Sequence, residues 1–99
     1  MIGLRIMAID YGDARTGVAI SDPTGLLAGF TAVIHSRKPE AVAAELARLV
    51  REHRVEELVM GFPRNMDGTE GPRAELYRAF AGQVEAACGL KPVLWDERR

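Results

Sequence analysis

The 99-residue sequence predicts a single α/β domain built on a mixed β-sheet, with the element order β-β-β-α-β-α-β. Three observations support this prediction. Short apolar runs bounded by Gly, Pro and Asp indicate buried strands. Two longer stretches with apolar residues at helical spacing indicate amphipathic helices. The strand–helix–strand alternation of the second half favours parallel pairing through right-handed crossovers, whereas the closely spaced strands of the first half favour antiparallel pairing.

The first half of the chain contains three predicted strands. Residues 4–11 form an apolar run too short for a typical helix, which indicates a strand buried on both faces. A turn at residues 12–15 leads into a second strand at residues 16–21. Residues 30–35 are rich in β-branched and aromatic types and form the third strand. Tight turns between these strands predict an antiparallel meander.

The second half alternates helices and strands. The first helix begins at Pro39, which suits a first turn, and ends in a basic last turn. A buried strand at residues 57–62 and a polar loop at residues 63–72 follow. The second helix ends at Gly89, before a last strand at residues 92–95. The predicted apolar stripe of the second helix consists of Leu76, Tyr77, Phe80, Val84 and Cys88.

Composition limits the class of protein. Apolar residues make up 47% and charged residues 27%, as in soluble globular proteins. The net charge of −1 excludes a binder that attracts nucleic acid by bulk positive charge, but it leaves room for a nuclease. The single cysteine excludes a disulfide framework and a multi-cysteine zinc site. With neither a membrane-length apolar run nor a signal peptide, we expect a cytoplasmic protein without membrane attachment.

Asp10 is the first candidate for chemistry. It follows the apolar run IMAI and precedes a turn, so its carboxylate sits at the end of a buried strand. A partly desolvated carboxylate is costly unless it is paired or binds a cation. Mg²⁺ takes such oxygen ligands, which makes Asp10 a candidate metal ligand. The structural alternative is an Asp that caps the following turn.

Asp96 and Glu97 form the second acidic point, at the end of the last predicted strand. Neighbouring residues on a strand face opposite sides, so we expect one of the two to reach the site. The alternative is a solvated chain terminus.

Two connections contain candidate substrate contacts. In the turn GDARTG, Gly12 and Gly17 allow close approach of a phosphate backbone, which Arg15 can grip through two hydrogen bonds; the alternative is an ordinary hairpin. In the long loop at residues 63–72, Arg64 and Asn65 can contact phosphate or a base edge. We expect Trp95 and Cys88 to lie in the core, and no triad order, Cys-x-x-Cys or P-loop pattern is present.

Three segments together resemble the YqgF/RuvX family, whose members are described as pre-16S rRNA nucleases or Holliday-junction-resolvase-like proteins. They are IDYGDARTGVAISDPTGLLA, VMGFPRNMDGTEGP and WDERR, in the family's order and with similar spacing. The resemblance covers the whole chain. It implies a ribonuclease-H-like fold and a nuclease that uses two divalent cations, Mg²⁺ or Mn²⁺, held by carboxylates.

The resemblance also assigns roles by position. It implies that Asp10 is the first-strand carboxylate and metal ligand, and that Glu97, with Asp96 beside it, is the acidic group of the family's Asp-Glu-Arg motif. The family normally continues past this motif with a Thr-rich turn and a helix that carries another acidic ligand. Ending at Arg99, this sequence is expected to form one incomplete domain over residues 1–99. The implied substrate contacts are Gly12, Arg15, Gly17, Arg64, Asn65 and Arg98.

An incomplete domain has two expected consequences. The metal site loses a ligand, and one sheet face is left exposed, which favours self-association such as a homodimer. The leading hypothesis is a Mg²⁺- or Mn²⁺-dependent endonuclease that processes ribosomal RNA precursor. The alternatives are a Holliday junction resolvase acting on branched DNA and a non-catalytic nucleic-acid-binding domain. The Asp-x-Gly pattern also resembles the first phosphate loop of actin-like ATPases, but the chain is too short for their two-lobed cleft.

Overall fold

The structure is a computed structural model that describes residues 4–22, 29–64 and 69–98, with the backbone alone described at Arg64, Glu97 and Arg98. Within these residues it contains a five-stranded sheet and two helices, in the predicted order β-β-β-α-β-α-β. The elements are β1 (Ile6–Asp10), β2 (Arg15–Ile20), β3 (Phe30–His35), α1 (Pro39–His53), β4 (Glu57–Arg64), α2 (Ala74–Cys88) and β5 (Val93–Arg98).

The sheet has the strand order β3-β2-β1-β4-β5. Strands β1, β2 and β3 pair antiparallel, whereas β4 pairs parallel to both β1 and β5. The predicted mixed sheet is therefore confirmed. Since the first strand lies at its centre, the residue at the end of β1 is flanked by a strand on either side.

Strand alternation divides the sheet into a covered face and an open face. The buried side chains of both helices join one core with alternate residues of β1, β2 and β4. On the opposite face, Val33, Val93 and Trp95 are more than half exposed. We call this second side the open face. The largest side chains of the core that are fully buried are Phe80, Met7, Ile20, Leu46, Leu58 and Met60.

Helix ends follow the predicted signals. Helix α1 has Pro39 in its first turn and ends before Arg54, whose φ of 54° puts it in the left-handed region. Helix α2 ends before Gly89, with φ of 76°, and the Gly89 amide donates to the carbonyl of Glu85. In the part of the chain that the structure describes, neither helix is long and apolar enough to span a membrane.

Strand ends and connections depart from the prediction. Strand β4 continues past residue 62 to Arg64, and β5 continues past Trp95 to Arg98, because the two strands pair over their whole final stretch. The predicted tight turn between β2 and β3 is wrong, since residues 21–29 connect them. Local turn signals do not reveal where a neighbouring strand stops offering hydrogen-bond partners.

Two predictions about core residues are wrong. Leu76 was predicted on the apolar stripe of α2 but is 42% exposed, because the buried side of that helix runs along Tyr77, Phe80 and Val84. Trp95 was predicted in the core but is 65% exposed, because its strand parity places it on the open face. Cys88 is partly buried and packs against the core, as predicted.

Candidate active site

Asp10 ends the central strand on the open face of the sheet. It pairs with Gly17 of β2, and a Cβ at Gly17 would lie 3.7 Å from the Cβ of Asp10. On the other side, the parallel ladder to β4 ends with Ile9 opposite Met60, so the next residue of β4 is Gly61. Glycines, which have no side chain, therefore lie beside the exposed carboxylate of Asp10 on both neighbouring strands.

An open depression of about 470 Å³ surrounds this carboxylate. Its floor is mostly apolar, and Trp95 of β5 borders it next to Gly61. Among the described residues that line it, Asp10 is the one ionisable group. The lining residues are Ala8, Ile9, Asp10, Gly17, Val18, Ala19, Ala32, Val59, Gly61 and Trp95.

The turn after Asp10 is tight. A Cβ at Gly12 would lie 2.4 Å from the carbonyl oxygen of Arg15, a distance that side chains do not tolerate. Gly12 is therefore required by the turn itself. Arg15 begins β2 with its side chain exposed, so its guanidinium is accessible at the same end of the sheet as Asp10.

Helix α2 holds this turn from the covered face. The Tyr77 hydroxyl donates a 2.8 Å hydrogen bond to the carbonyl oxygen of Tyr11, the residue after Asp10. The Tyr11 ring stacks on Phe80 with 3.8 Å between ring centroids and an angle of 10°. At the start of the helix, Arg73 Nη2 lies 2.5 Å from Asp13 Oδ1. The segment after Asp10 is thus anchored by contacts to α2.

These contacts change the acid–base properties of the tyrosine beside Asp10. Burial, and after it the negative charge of Asp13, raises the pKa of Tyr11 above its ordinary value. The phenol therefore stays protonated well above neutral pH. A second group behaves similarly: burial raises the pKa of the Cys88 thiol, which favours its neutral form.

The two acidic positions at the end of β5 lie on opposite faces of the strand. Asp96 pairs with Phe62, a residue of the covered face, whereas Glu97 pairs with Pro63. Position 97 therefore has the parity of Trp95, on the side of the sheet that carries Asp10. Of the two acidic positions, 97 is the one that lies on that side by backbone register, and its contact with the site stays a prediction.

Some of the predicted site residues lie partly or wholly outside the part of the chain that the structure describes. Asn65 lies outside the described residues, as do the side chains of Arg64, Glu97 and Arg98. Among the described residues, no group of three or more His, Cys, Asp or Glu side chains is close enough to hold a metal ion. The joint metal role of Asp10 and Glu97 thus stays a prediction.

Two residues near the site were not identified from the sequence. The sequence places Tyr77 only on the apolar stripe of α2 and predicts no role for Arg73, although both contact the turn after β1. One signal was available for Arg73, since a basic residue at a helix N-terminus opposes the helix dipole and so calls for a compensating anion. Nothing local identifies Asp13 as that anion.

Comparison with solved structures defines the fold class. The chain superimposes on Thermus thermophilus RuvC in complex with a Holliday junction substrate with a TM-score of 0.69 and 13% identity, covering 95% of this chain and 65% of that one. It superimposes on the large terminase nuclease of the thermophilic phage G20c with a TM-score of 0.65 and 15% identity, covering 93% and 44%. At these identities the likeness concerns the fold alone, and the fold is ribonuclease-H-like.

Sequence comparison then identifies the family. The family model described as "RuvX: Holliday junction resolvase" matches residues 4–99, so the chain belongs to the RuvX family. Relatives from Carboxydothermus hydrogenoformans and Pelotomaculum thermopropionicum are 43% and 48% identical over 96% of this chain. Each carries the name "Putative pre-16S rRNA nuclease". The chain spans 69% and 62% of the lengths of these two relatives.

Proposed function

We propose that this chain belongs to a Mg²⁺- or Mn²⁺-dependent endonuclease that hydrolyses phosphodiester bonds at the 5′ end of pre-16S rRNA. The observation that carries the proposal is the exposed Asp10 carboxylate at the end of the central strand, with Gly17 and Gly61 beside it. Relatives 43% and 48% identical carry the name "Putative pre-16S rRNA nuclease", which supports a nuclease that acts on this RNA.

The donor chemistry at this edge of the sheet fits a hard divalent cation. Asp10 offers carboxylate oxygens in an open depression, and Mg²⁺ commonly takes one or two carboxylates together with water and phosphate oxygens. We assign the second carboxylate to Glu97 rather than Asp96, since position 97 has the parity of the open face. When bound, the cation would supply positive charge at the scissile phosphate and acidify water.

The chain's own residues would bind and orient the nucleic acid. The exposed Arg15 guanidinium, beside the turn at Gly12, can form two hydrogen bonds to one phosphate. Gly17 keeps the floor beside Asp10 free of side chains, so a sugar–phosphate backbone can approach the carboxylate closely. We propose further phosphate contacts from Arg64, which ends β4, from Asn65, which follows it, and from Arg98, which ends β5.

Asp10→Asn tests the proposal, because the amide keeps the size of the side chain while removing its charge. We expect cleavage of a short RNA containing the 5′ processing site of 16S rRNA to fall at least about 100-fold at matched Mn²⁺ and salt. Glu85→Gln, an equal change on the exposed side of α2, is the matched control and should cleave like wild type. Wild-type cleavage by Asp10→Asn would exclude the proposed site.

A second candidate function is resolution of Holliday junctions, which the description of the family model and the fold likeness to RuvC favour. The same two variants assayed on a four-way DNA junction distinguish it, because only a resolvase would cut the junction in an Asp10-dependent way. Metal-independent binding of either nucleic acid without any cleavage would instead identify a non-catalytic binding domain.

A further inference from the structure

The backbone beyond Asp10 leaves the sheet. The antiparallel ladder to β2 ends with Asp10 opposite Gly17, and the parallel ladder to β4 ends one residue earlier at Ile9. The carbonyl of Tyr11 is therefore beyond both ladders. A buried carbonyl without a hydrogen-bond partner is destabilising, so the segment that follows Asp10 depends on a partner from elsewhere in the fold.

Tyr77 of α2 supplies that partner. Its side chain is only 8% exposed, and its hydroxyl donates to the Tyr11 carbonyl oxygen at 2.8 Å. The ring packs edge-on against Tyr11, with centroids 5.5 Å apart and an angle of 80° between planes. A phenylalanine would fill the same space, so the hydroxyl contributes a directional bond that packing alone does not require.

We propose that Tyr77 is a positioning residue that holds the Asp10 carboxylate in its metal-binding orientation through the Tyr11 carbonyl. The inference rests on the proposed function, because Asp10 is the metal ligand in it. The side chain of Asp10 lies on the open face, whereas the ring of Tyr11 is locked on the covered face between Tyr77 and Phe80. Rotation of the backbone at this junction would therefore turn Asp10 away from the site.

The exposed ion pair between Arg73 and Asp13 is a second connection from α2 to the same turn. It is accessible to water and salt, so its contribution is weak. The hydrogen bond from the Tyr77 hydroxyl to the Tyr11 carbonyl is buried and so is shielded from water and salt.

Tyr77→Phe is the decisive variant, because it removes one hydroxyl and keeps the edge-on ring contact with Tyr11. The matched control is Val84→Ala, which removes buried volume from the same helix about two turns beyond Tyr77 and leaves the Tyr77 hydroxyl in place. Both variants are studied as the whole 99-residue chain, at a temperature where circular dichroism shows them fully folded. Mn²⁺ binding is titrated, and backbone amide exchange at residues 10–13 is followed by NMR.

We expect Tyr77→Phe to weaken Mn²⁺ binding about 10-fold, as the loss of a residue that orients a metal ligand commonly does. Amide exchange at residues 10–13 should accelerate about 10-fold, the factor that corresponds to one lost hydrogen bond. Val84→Ala should change neither quantity. Equal behaviour of the two variants in both measurements would overturn the inference and leave the proposed function intact.

A different result would contradict the proposed function. If wild type binds no Mn²⁺ in an Asp10-dependent way, the metal site is excluded. Amide exchange alone then decides the role of Tyr77, since it needs no metal. Faster exchange in Tyr77→Phe than in Val84→Ala would still show that the hydroxyl holds the Asp10 segment, and equal exchange would exclude this role.

Discussion

Arg73 Nη2 and Asp13 Oδ1 lie 2.5 Å apart although the two residues are separated by 60 positions in the chain. Asp13 belongs to the turn after β1, and Arg73 directly precedes α2. The pair therefore joins the turn next to the candidate catalytic carboxylate to the start of a helix on the other face of the sheet. The hydrogen bond and charge of Asp13 raise the pKa of Arg73 further above the physiological range.

This ion pair should stabilise the fold weakly and in a salt-sensitive way. Its side chains are 47% and 63% exposed, so water and dissolved ions screen the attraction. In a double-mutant cycle of Arg73→Gln and Asp13→Asn, we expect a coupling at about 0.1 M NaCl that disappears at about 1 M, where charges are screened within about 3 Å. Urea unfolding measures it, and a coupling that persists at high salt would contradict the exposed placement.

Gly12→Ala should destabilise the protein, whereas Gly82→Ala should stabilise it. A Cβ at Gly12 would collide with the Arg15 carbonyl oxygen, and overpacking of this kind costs about 1–3 kcal/mol. Gly82 lies in α2 with open space around its Cβ position. Alanine there should raise the free energy of unfolding by about 0.5–1 kcal/mol, because alanine has the higher helix propensity. Denaturant unfolding of both variants tests this pair, and equal effects would refute the tight turn.

Phe80 and Leu76 lie in the same helix but should contribute very differently to the free energy of unfolding. Phe80 is 1% exposed and stacks on Tyr11, so Phe80→Ala should cost about 3–5 kcal/mol. Leu76 is 42% exposed, and Leu76→Ala should change the free energy of unfolding by less than about 1 kcal/mol. Thermal and urea unfolding distinguish the two. A large loss in Leu76→Ala would mean that this side of α2 is covered in solution.

Trp95 reports on the open face, because it is the one tryptophan of the chain. With its side chain 65% exposed, we expect long-wavelength fluorescence that acrylamide quenches almost as well as it quenches free tryptophan. The predicted self-association through this face gives a different result. Protected, short-wavelength emission that becomes exposed on dilution would indicate a homodimer that covers Trp95.

Alkaline pH should destabilise the fold through Tyr11. Its pKa in the folded protein is raised above the ordinary value of 10.0, mainly by burial and then by Asp13. The unfolded chain then loses the phenol proton first, so this contribution to stability is complete below about pH 10 and is lost as pH rises through the folded-state pKa. Urea midpoints between about pH 9 and pH 11 should fall more steeply in wild type than in Tyr11→Phe. Parallel curves would show that Tyr11 is not the group responsible.

Local patterns in the sequence were enough to predict the elements and the place of the candidate carboxylate at a strand end. Helix α1 lies at Pro39–His53 and strand β3 at Phe30–His35, as predicted, because apolar spacing and end signals are local properties of the chain. Asp10 ends the first strand, as its place after an apolar run indicated, but the prediction that this strand is buried on both faces is wrong, because Ala8 and Asp10 are exposed on the open face. The motifs around it were also sufficient to identify the family.

Which side chains are covered, and which contacts hold the site, depends on how the helices pack on the sheet. Leu76 and Trp95 are apolar at plausible core positions, yet both are exposed, because burial depends on which face meets a neighbouring element. The bond from Tyr77 to Tyr11 joins residues 66 positions apart, and no local pattern specifies it. Periodicity and capping are encoded within a few residues, whereas partners across the fold are set only when the helices pack on the sheet.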